Sequence, residues 1–345
     1  MTIGIAIIGS GMFAEIDGNQ PAVLATPELS LKAIYSRSLA SAKSLSENLD
    51  NVELYSEDAG EGKSYADLLK RDDTNAVIIA LPIPNQPAYI KQALSAGKHV
   101  LAEKPMAKDI ATAVELLEWY RTHVDTANVT FGIAENIRFL DSFVHAAEQV
   151  KRLGRVFGFR TRLGTMVKPG SKYFETAWRK TPGYQGGFLL DGGVHLVAGT
   201  RLLLPSTDTP VRLSAYSALL QEYLPPVDTL EATWKTGSGV SGSFSVSFGT
   251  TFTGLELDVA CEQGTVSATM GKVTVTKDGK EEVTEFKDDS SGVMPEVKAW
   301  AEGLVAGKPN PRQSPEEALA DLEILEAMLK SGEQNGAPID LKYSI

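Results

Sequence analysis

Cysteine is nearly absent from this 345-residue chain: Cys261 is the only one, so no intrachain disulfide can form, as suits a reducing compartment. It closes the alternating run Leu255-Glu256-Leu257-Asp258-Val259-Ala260-Cys261, which reads as a strand with a buried, inert thiol rather than a nucleophile. Histidine is scarce too, with four copies, and no His, Cys and carboxylate group has the spacing of metal ligands, so no metal site is expected. No stretch reaches the roughly 18 uninterrupted apolar residues of a membrane span. The opening run from Ile3 to Ile8 lacks the basic flank of a secretory signal. A soluble, cytoplasmic protein without membrane partners is therefore expected. Basic side chains are also short, 33 against 44 acidic, for a formal net charge of −11. That balance excludes a nonspecific nucleic-acid binder, which needs a basic footprint.

What the chain does have is two styles of patterning, and its length favours two domains. Strand-like runs at 3–8, 30–36, 76–81, 99–102 and 129–133 alternate with helix-like segments near 12–26, 38–49, 64–71, 86–96 and 109–123. This βα alternation predicts a parallel sheet with helices on both faces, a Rossmann-like α/β domain over residues 1–137. An amphipathic helix at 141–153 follows, with Phe143, Ala146, Ala147 and Val150 on one side.

Beyond Gly154 the strand-like runs lie at 155–165, 211–221, 228–236, 239–249, 255–262, 265–269, 272–277 and 281–286. They predict an α+β domain over 138–345 with a large, mostly antiparallel, open-faced sheet. Helices return at 293–306 and 314–331, and the C-terminal tail is expected to pack back on the first domain. Ser314-Pro315-Glu316-Glu317 opens the last helix with an N-cap serine, a proline at the first position and acids in the first turn. Val240, Gly242, Phe244, Val246 and Phe248 alternate with Ser241, Ser243, Ser245 and Ser247. The serine face suits either solvent or a flat subunit interface.

Gly9-Ser10-Gly11-Met12-Phe13-Ala14 fits G-x-G-x-x-A directly after the first strand. The first glycine serves the tight turn, the second lets backbone approach a pyrophosphate, and the small third residue lets helix and strand pack closely. Amides at the helix start then face the phosphates. The second strand ends Ala33-Ile34-Tyr35-Ser36-Arg37-Ser38, with no Asp or Glu at 34–38 to hold a ribose 2′-hydroxyl. Ser36, Arg37 and Ser38 offer hydroxyls and a guanidinium suited to a 2′-phosphate, so NADP(H) is expected over NAD(H). The plainer reading is an N-cap serine beside a solvated arginine.

Two further constellations carry chemistry. Glu103-Lys104-Pro105 follows the strand His99–Ala102, which places a lysine at the carboxyl end of a parallel strand, where open α/β sheets bind ligands. Its ammonium can polarise a carbonyl or exchange a proton with an alcohol. In Gly186-Gly187-Phe188-Leu189-Leu190-Asp191-Gly192-Gly193-Val194-His195, the acid and the imidazole are four apart and share one helix face. A carboxylate beside an imidazole can orient it for proton transfer; a capping Asp and a structural His are the alternative. The segment 164–187 is rich in Lys168, Lys172, Tyr173, Trp178, Arg179, Lys180 and Tyr184. It reads either as the mouth of a substrate site or as a solvated loop.

Together these motifs, with Ala96-Gly97-Lys98-His99 ahead of the lysine tripeptide and Asn136-Ile137-Arg138-Phe139 downstream, resemble the glucose–fructose oxidoreductase / inositol dehydrogenase (Gfo/Idh/MocA) family. The stretch from Trp178-Arg179 through His195 also looks like a fungal branch of NADP(H)-dependent oxidoreductases. The resemblance spans essentially the whole chain. It implies a Rossmann domain, then an open-faced sheet domain, with the substrate held between them at the nicotinamide. It also implies catalytic roles for Lys104, Asp191 and His195, and substrate contacts from these three with Tyr173, Trp178 and Arg179. Cofactor contacts are implied at Gly9, Ser10, Gly11, Met12, Phe13, Ser36, Arg37, Ser38, Leu81, Pro82, Gln86, Glu103, Lys104 and Asn136. Assembly as a homodimer or homotetramer through the open sheet face is implied as well.

The chain departs from common members in having Leu81-Pro82-Ile83 then Gln86, and Ala198 three residues past the motif histidine, where sugar enzymes often carry an acid. The expected activity is an NADP(H)-dependent interconversion of alcohol and carbonyl on a small, sugar-like molecule. Lys104 and His195 are both candidates for the final acid or base. An NADP-binding regulator or sensor of the same fold is the rival from another class.

Overall fold

The computed structural model describes residues 2–11, 18–47, 49–171, 174–287 and 291–343. The expectations for Met12, Phe13 and Tyr173 lie outside the described residues. The chain forms two compact units, 1–136 with 293–318, and 137–292 with 319–345. Thus the segment that returns to the first unit is 293–318, while the tail beyond it belongs to the second.

The first unit holds strands β1 (Ile3–Ile8), β2 (Leu29–Ser36), β3 (Glu53–Ser56), β4 (Ala76–Ile79), β5 (His99–Glu103) and β6 (Phe131–Ala134), with helices α1 (Asn19–Ala25), α2 (Leu39–Leu45), α3 (Tyr65–Leu69), α4 (Gln86–Ser95) and α5 (Ile110–His123). All strands are parallel in the order β3-β2-β1-β4-β5-β6. The order reverses between β1 and β4, and a crevice for ligands opens beyond the carboxyl ends at such a point. The aliphatic runs of β1 and β4 are fully buried, as strands covered on both faces must be. Helix starts follow the sequence: Ser38 caps α2, Asp109 caps α5, and Ser64 forms a reciprocal capping box with Asp67 at α3.

The second unit holds α6 (Asp141–Arg152), β7 (Val156–Met166), α7 (Ala177–Lys180), α8 (Gly187–Leu203), β8 (Pro210–Ala218), β9 (Thr229–Thr236), β10 (Ser241–Ser247), β11 (Gly249–Cys261), β12 (Gly264–Thr269), β13 (Lys272–Lys277) and β14 (Lys280–Glu285). The chain then forms α9 (Val293–Ala306) in the first unit, α10 (Pro315–Glu333), within which the division falls, and β15 (Ile339–Asp340) in the second.

Nine strands pair in the order β14-β13-β12-β11-β7-β10-β9-β8-β15. The sheet is antiparallel except for β7 and β10, which run parallel, so it is mixed. One face is packed: Trp234 stacks on Phe244 at 4.8 Å between ring centres and donates from Nε1 to Met328 Sδ at 3.3 Å. The other carries the alternating exposed serines Ser241 and Ser243 and the cross-strand pairs Arg160–Asp258 and Arg162–Glu256. Cys261 is buried, and loss of water around it pushes its thiol up to about 11, so it is inert near neutral pH.

In the first unit α9 lays Val293, Val297, Trp300 and Ala301 on the core of Ile5, Ile7, Ile34, Ile78 and Leu101. In the second, Asp321 is gripped by two buried guanidiniums, Arg138 at 2.6 Å and Arg201 at 2.7 Å. The arginine of the Asn136-Ile137-Arg138-Phe139 motif is thereby a structural residue.

Candidate active site

In the first unit the site starts where β1 ends. Gly9 has φ +109°, and a Cβ there would lie 2.2 Å from the Ala80 carbonyl oxygen. Only glycine allows that conformation and that approach. Its N–H donates to Tyr35 O at 2.8 Å, which ties the loop to the end of β2. A Cβ on Gly11 would meet nothing within 4 Å, so the loop offers an open cradle there. Ser10 Oγ donates to Ser36 Oγ at 2.7 Å and joins the loop to the β2 terminus. These residues fit a dinucleotide, with main-chain groups free to approach its pyrophosphate.

Arg37 is exposed just past β2, while the Ser38 hydroxyl is already engaged as the α2 cap, accepting from Ser41 N at 3.2 Å. The structure adds an acid that the window 34–38 could not show. Asp58, just beyond β3, accepts from Leu39 N at 2.7 Å and Ser56 Oγ at 2.6 Å. The Ser56 hydroxyl and then the Leu39 amide hold its carboxyl below the usual range. Next to it, Glu57 accepts from the Tyr35 hydroxyl, which also meets Tyr89 Oη at 3.1 Å.

Leu81 and Pro82 follow β4, both half-buried. Gln86 is different: it is fully buried and its Nε2 donates to Glu103 O at 2.9 Å and Pro105 O at 3.0 Å. This corrects the expected cofactor contact, because the amide is spent on the backbone on either side of Lys104. Glu103 is buried as well, and its Oε1 accepts from Asn19 Nδ2 at 3.1 Å. Lys104, partly exposed at the end of β5 and followed by a cis peptide to Pro105, is thus presented from a buried polar frame. Asn136, which closes the first stretch of this unit, is half-buried.

In the second unit Asp191 and His195 lie one turn apart on α8. The helix begins through Gly187, where φ is +50° and a Cβ would lie 2.3 Å from Pro225 O. Asp191 is buried and His195 half-buried. Arg179, from α7, donates from Nε to Asp191 Oδ2 at 2.7 Å, and its guanidinium carbon lies 4.1 Å from the centre of the Trp178 ring. That pairing was not expected: Arg179 orders the helix carboxylate, besides any contact it makes with substrate. Tyr184 is buried near the same pair, and burial, then the Asp191 charge, pushes its hydroxyl well above the usual range. Among the described residues, no group of three or more His, Cys, Asp or Glu could hold a metal ion, and no helix is long and apolar enough to cross a membrane.

A glycine cradle at the switch point of a parallel sheet, followed by a lysine at a neighbouring strand end, defines a dinucleotide-dependent oxidoreductase class. The profile of the oxidoreductase family, NAD-binding Rossmann fold, matches residues 3–131, and that of its C-terminal alpha/beta domain matches 147–341. The chain belongs to the Gfo/Idh/MocA family of oxidoreductases. It is 39% identical to the dehydrogenase FPY6 of Fusarium mangiferae, over 99% of each chain. It is 28% identical to a D-xylose 1-dehydrogenase (NADP(+)) of Haloferax volcanii, over 93% of this chain and 94% of that one. An oxidoreductase from Thermotoga maritima superposes with a TM-score of 0.86 at 27% identity, covering 99% of this chain and 98% of that one.

Proposed function

We propose that the protein is an NADP(H)-dependent oxidoreductase that interconverts an alcohol and a carbonyl on a small, sugar-like substrate. The observation that carries this is Lys104, held at the carboxyl end of β5 by Gln86 on the main chain either side and by the Asn19–Glu103 pair beneath. The bound cofactor supplies or accepts the hydride. Lys104 donates a hydrogen bond to the reacting oxygen and stabilises charge that develops there. His195 exchanges the proton with that oxygen. Asp191, fixed by Arg179, orients the imidazole and accepts from a substrate hydroxyl. Trp178 and Arg179 add a flat, cationic wall for the substrate.

NADP(H) is favoured by Ser36 and the exposed Arg37 at the end of β2. The similarity to an NADP-dependent xylose enzyme supports both the cofactor and the substrate class. The open face of the nine-stranded sheet serves as a homo-oligomer interface; sedimentation at micromolar concentration tests this, and a monomer would refute it. The activity test is a panel of sugars, keto-acids, aldehydes and diols followed by NADPH absorbance. Turnover of a sugar or related polyol with NADP(H) is expected. Turnover with none, alongside tight NADPH binding, would support a regulator instead.

A further inference from the structure

On α9 the residues Val293, Glu296, Val297, Trp300 and Ala301 form one buried stripe at helical spacing, and Glu296 is its only acid. Its side chain is 1% exposed, in the same unit as β5 and β6. The Glu135 amide donates to its carboxyl, while Oε1 has no hydrogen-bond partner among the described residues. Its main-chain oxygen accepts from Gln313 Nε2 at 3.2 Å, which fixes the helix there. The charged groups that act on it are Glu103 and Lys104 from β5 and Glu135 from the end of β6. Glu103 and Glu135 are themselves buried. Three ionised carboxylates against one ammonium in a dry interior would repel, and isolated buried charge is strongly disfavoured.

We propose that Glu296 is held as the neutral acid and is a positioning residue for Lys104, limiting the negative charge that faces its ammonium and offering Glu103 and Glu135 a donor. Burial, then the charges of Glu103 and Glu135, push the Glu296 carboxyl well above the ordinary range, in the same sense. With a raised folded value, the native state keeps a proton that the unfolded chain has released above the ordinary glutamate range. Glu296 therefore costs stability as pH rises. The kinetic part rests on the reading of Lys104 as the proton-handling group, so the tests use the intact chain without turnover.

Three measurements decide it, on wild type, Glu296→Gln and Glu296→Leu. In melting, Glu296→Gln should gain in Tm over wild type from pH 5 to pH 8, because every other titrating group is common to both. A constant or shrinking gap would show Glu296 ionised and overturn the proposal. In infrared difference spectra at pH 7, wild type should show a protonated-carboxyl band that Glu296→Gln lacks; no such band also overturns it. In acetic anhydride labelling read by mass spectrometry, the pH midpoint for Lys104 should rise by about 0.5 unit in Glu296→Leu. Glu296→Gln should restore the wild-type midpoint. An unmoved midpoint in Glu296→Leu would leave Glu296 a merely structural residue. A midpoint lowered in Glu296→Gln would show that a charge, not a neutral acid, had been removed.

Discussion

Arg179 donates from Nε to Asp191 Oδ2 at 2.7 Å while lying 4.1 Å from the Trp178 ring centre, so one guanidinium both fixes a carboxylate and covers an aromatic face. Both partners are largely buried, with side-chain exposures of 14% and 10%. Arg179→Ala should therefore leave Asp191 without its strongest partner and lower stability by about 1.5–3 kcal/mol, measured by urea unfolding. Arg179→Lys should not rescue fully, since an ammonium cannot stack and donate in that plane.

The cofactor end makes a second prediction. Arg37→Ala should weaken NADPH roughly tenfold, by loss of a charge-assisted bond, and leave NADH unchanged. Asp58→Asn keeps an acceptor for the Leu39 amide but removes a carboxylate near the expected phosphate position, so it should strengthen NADPH without strengthening NADH. Fluorescence titration with both nucleotides reads each variant. Equal changes for the two nucleotides would refute the 2′-phosphate assignment.

The buried cluster in the second unit gives a third. Asp321→Ala leaves Arg138 and Arg201 buried without their shared carboxylate. A loss of about 3–5 kcal/mol is expected from thermal or chemical unfolding.

Much of this was legible from pattern. The short aliphatic runs and Gly9-Ser10-Gly11 implied the parallel sheet and its cradle because fully buried strands and a glycine turn have strong local signatures. β3 was missed: Glu53-Leu54-Tyr55-Ser56 is a four-residue edge strand with little apolar pattern to announce it. The run 239–249 was read as one strand, whereas β10 ends at Ser247 and β11 starts at Gly249. Helix α9 has an ordinary amphipathic stripe, and periodicity cannot say which unit covers it.

At the site the misses were all long-range. Asp58 reaches the start of α2 from the next strand, and Arg179 meets an acid twelve residues on. Gln86 turns from the expected cofactor side to the main chain around Lys104, a choice made by packing alone.

The central claim is that Lys104 acts on the reacting oxygen rather than on the cofactor's binding. The direct measurement is NADPH consumption over the substrate panel by wild type and Lys104→Ala, with NADPH affinity measured for both. The expected result is a loss of about 10²–10⁴-fold in turnover with NADPH affinity nearly unchanged. Near-full turnover by Lys104→Ala with normal NADPH binding would contradict it.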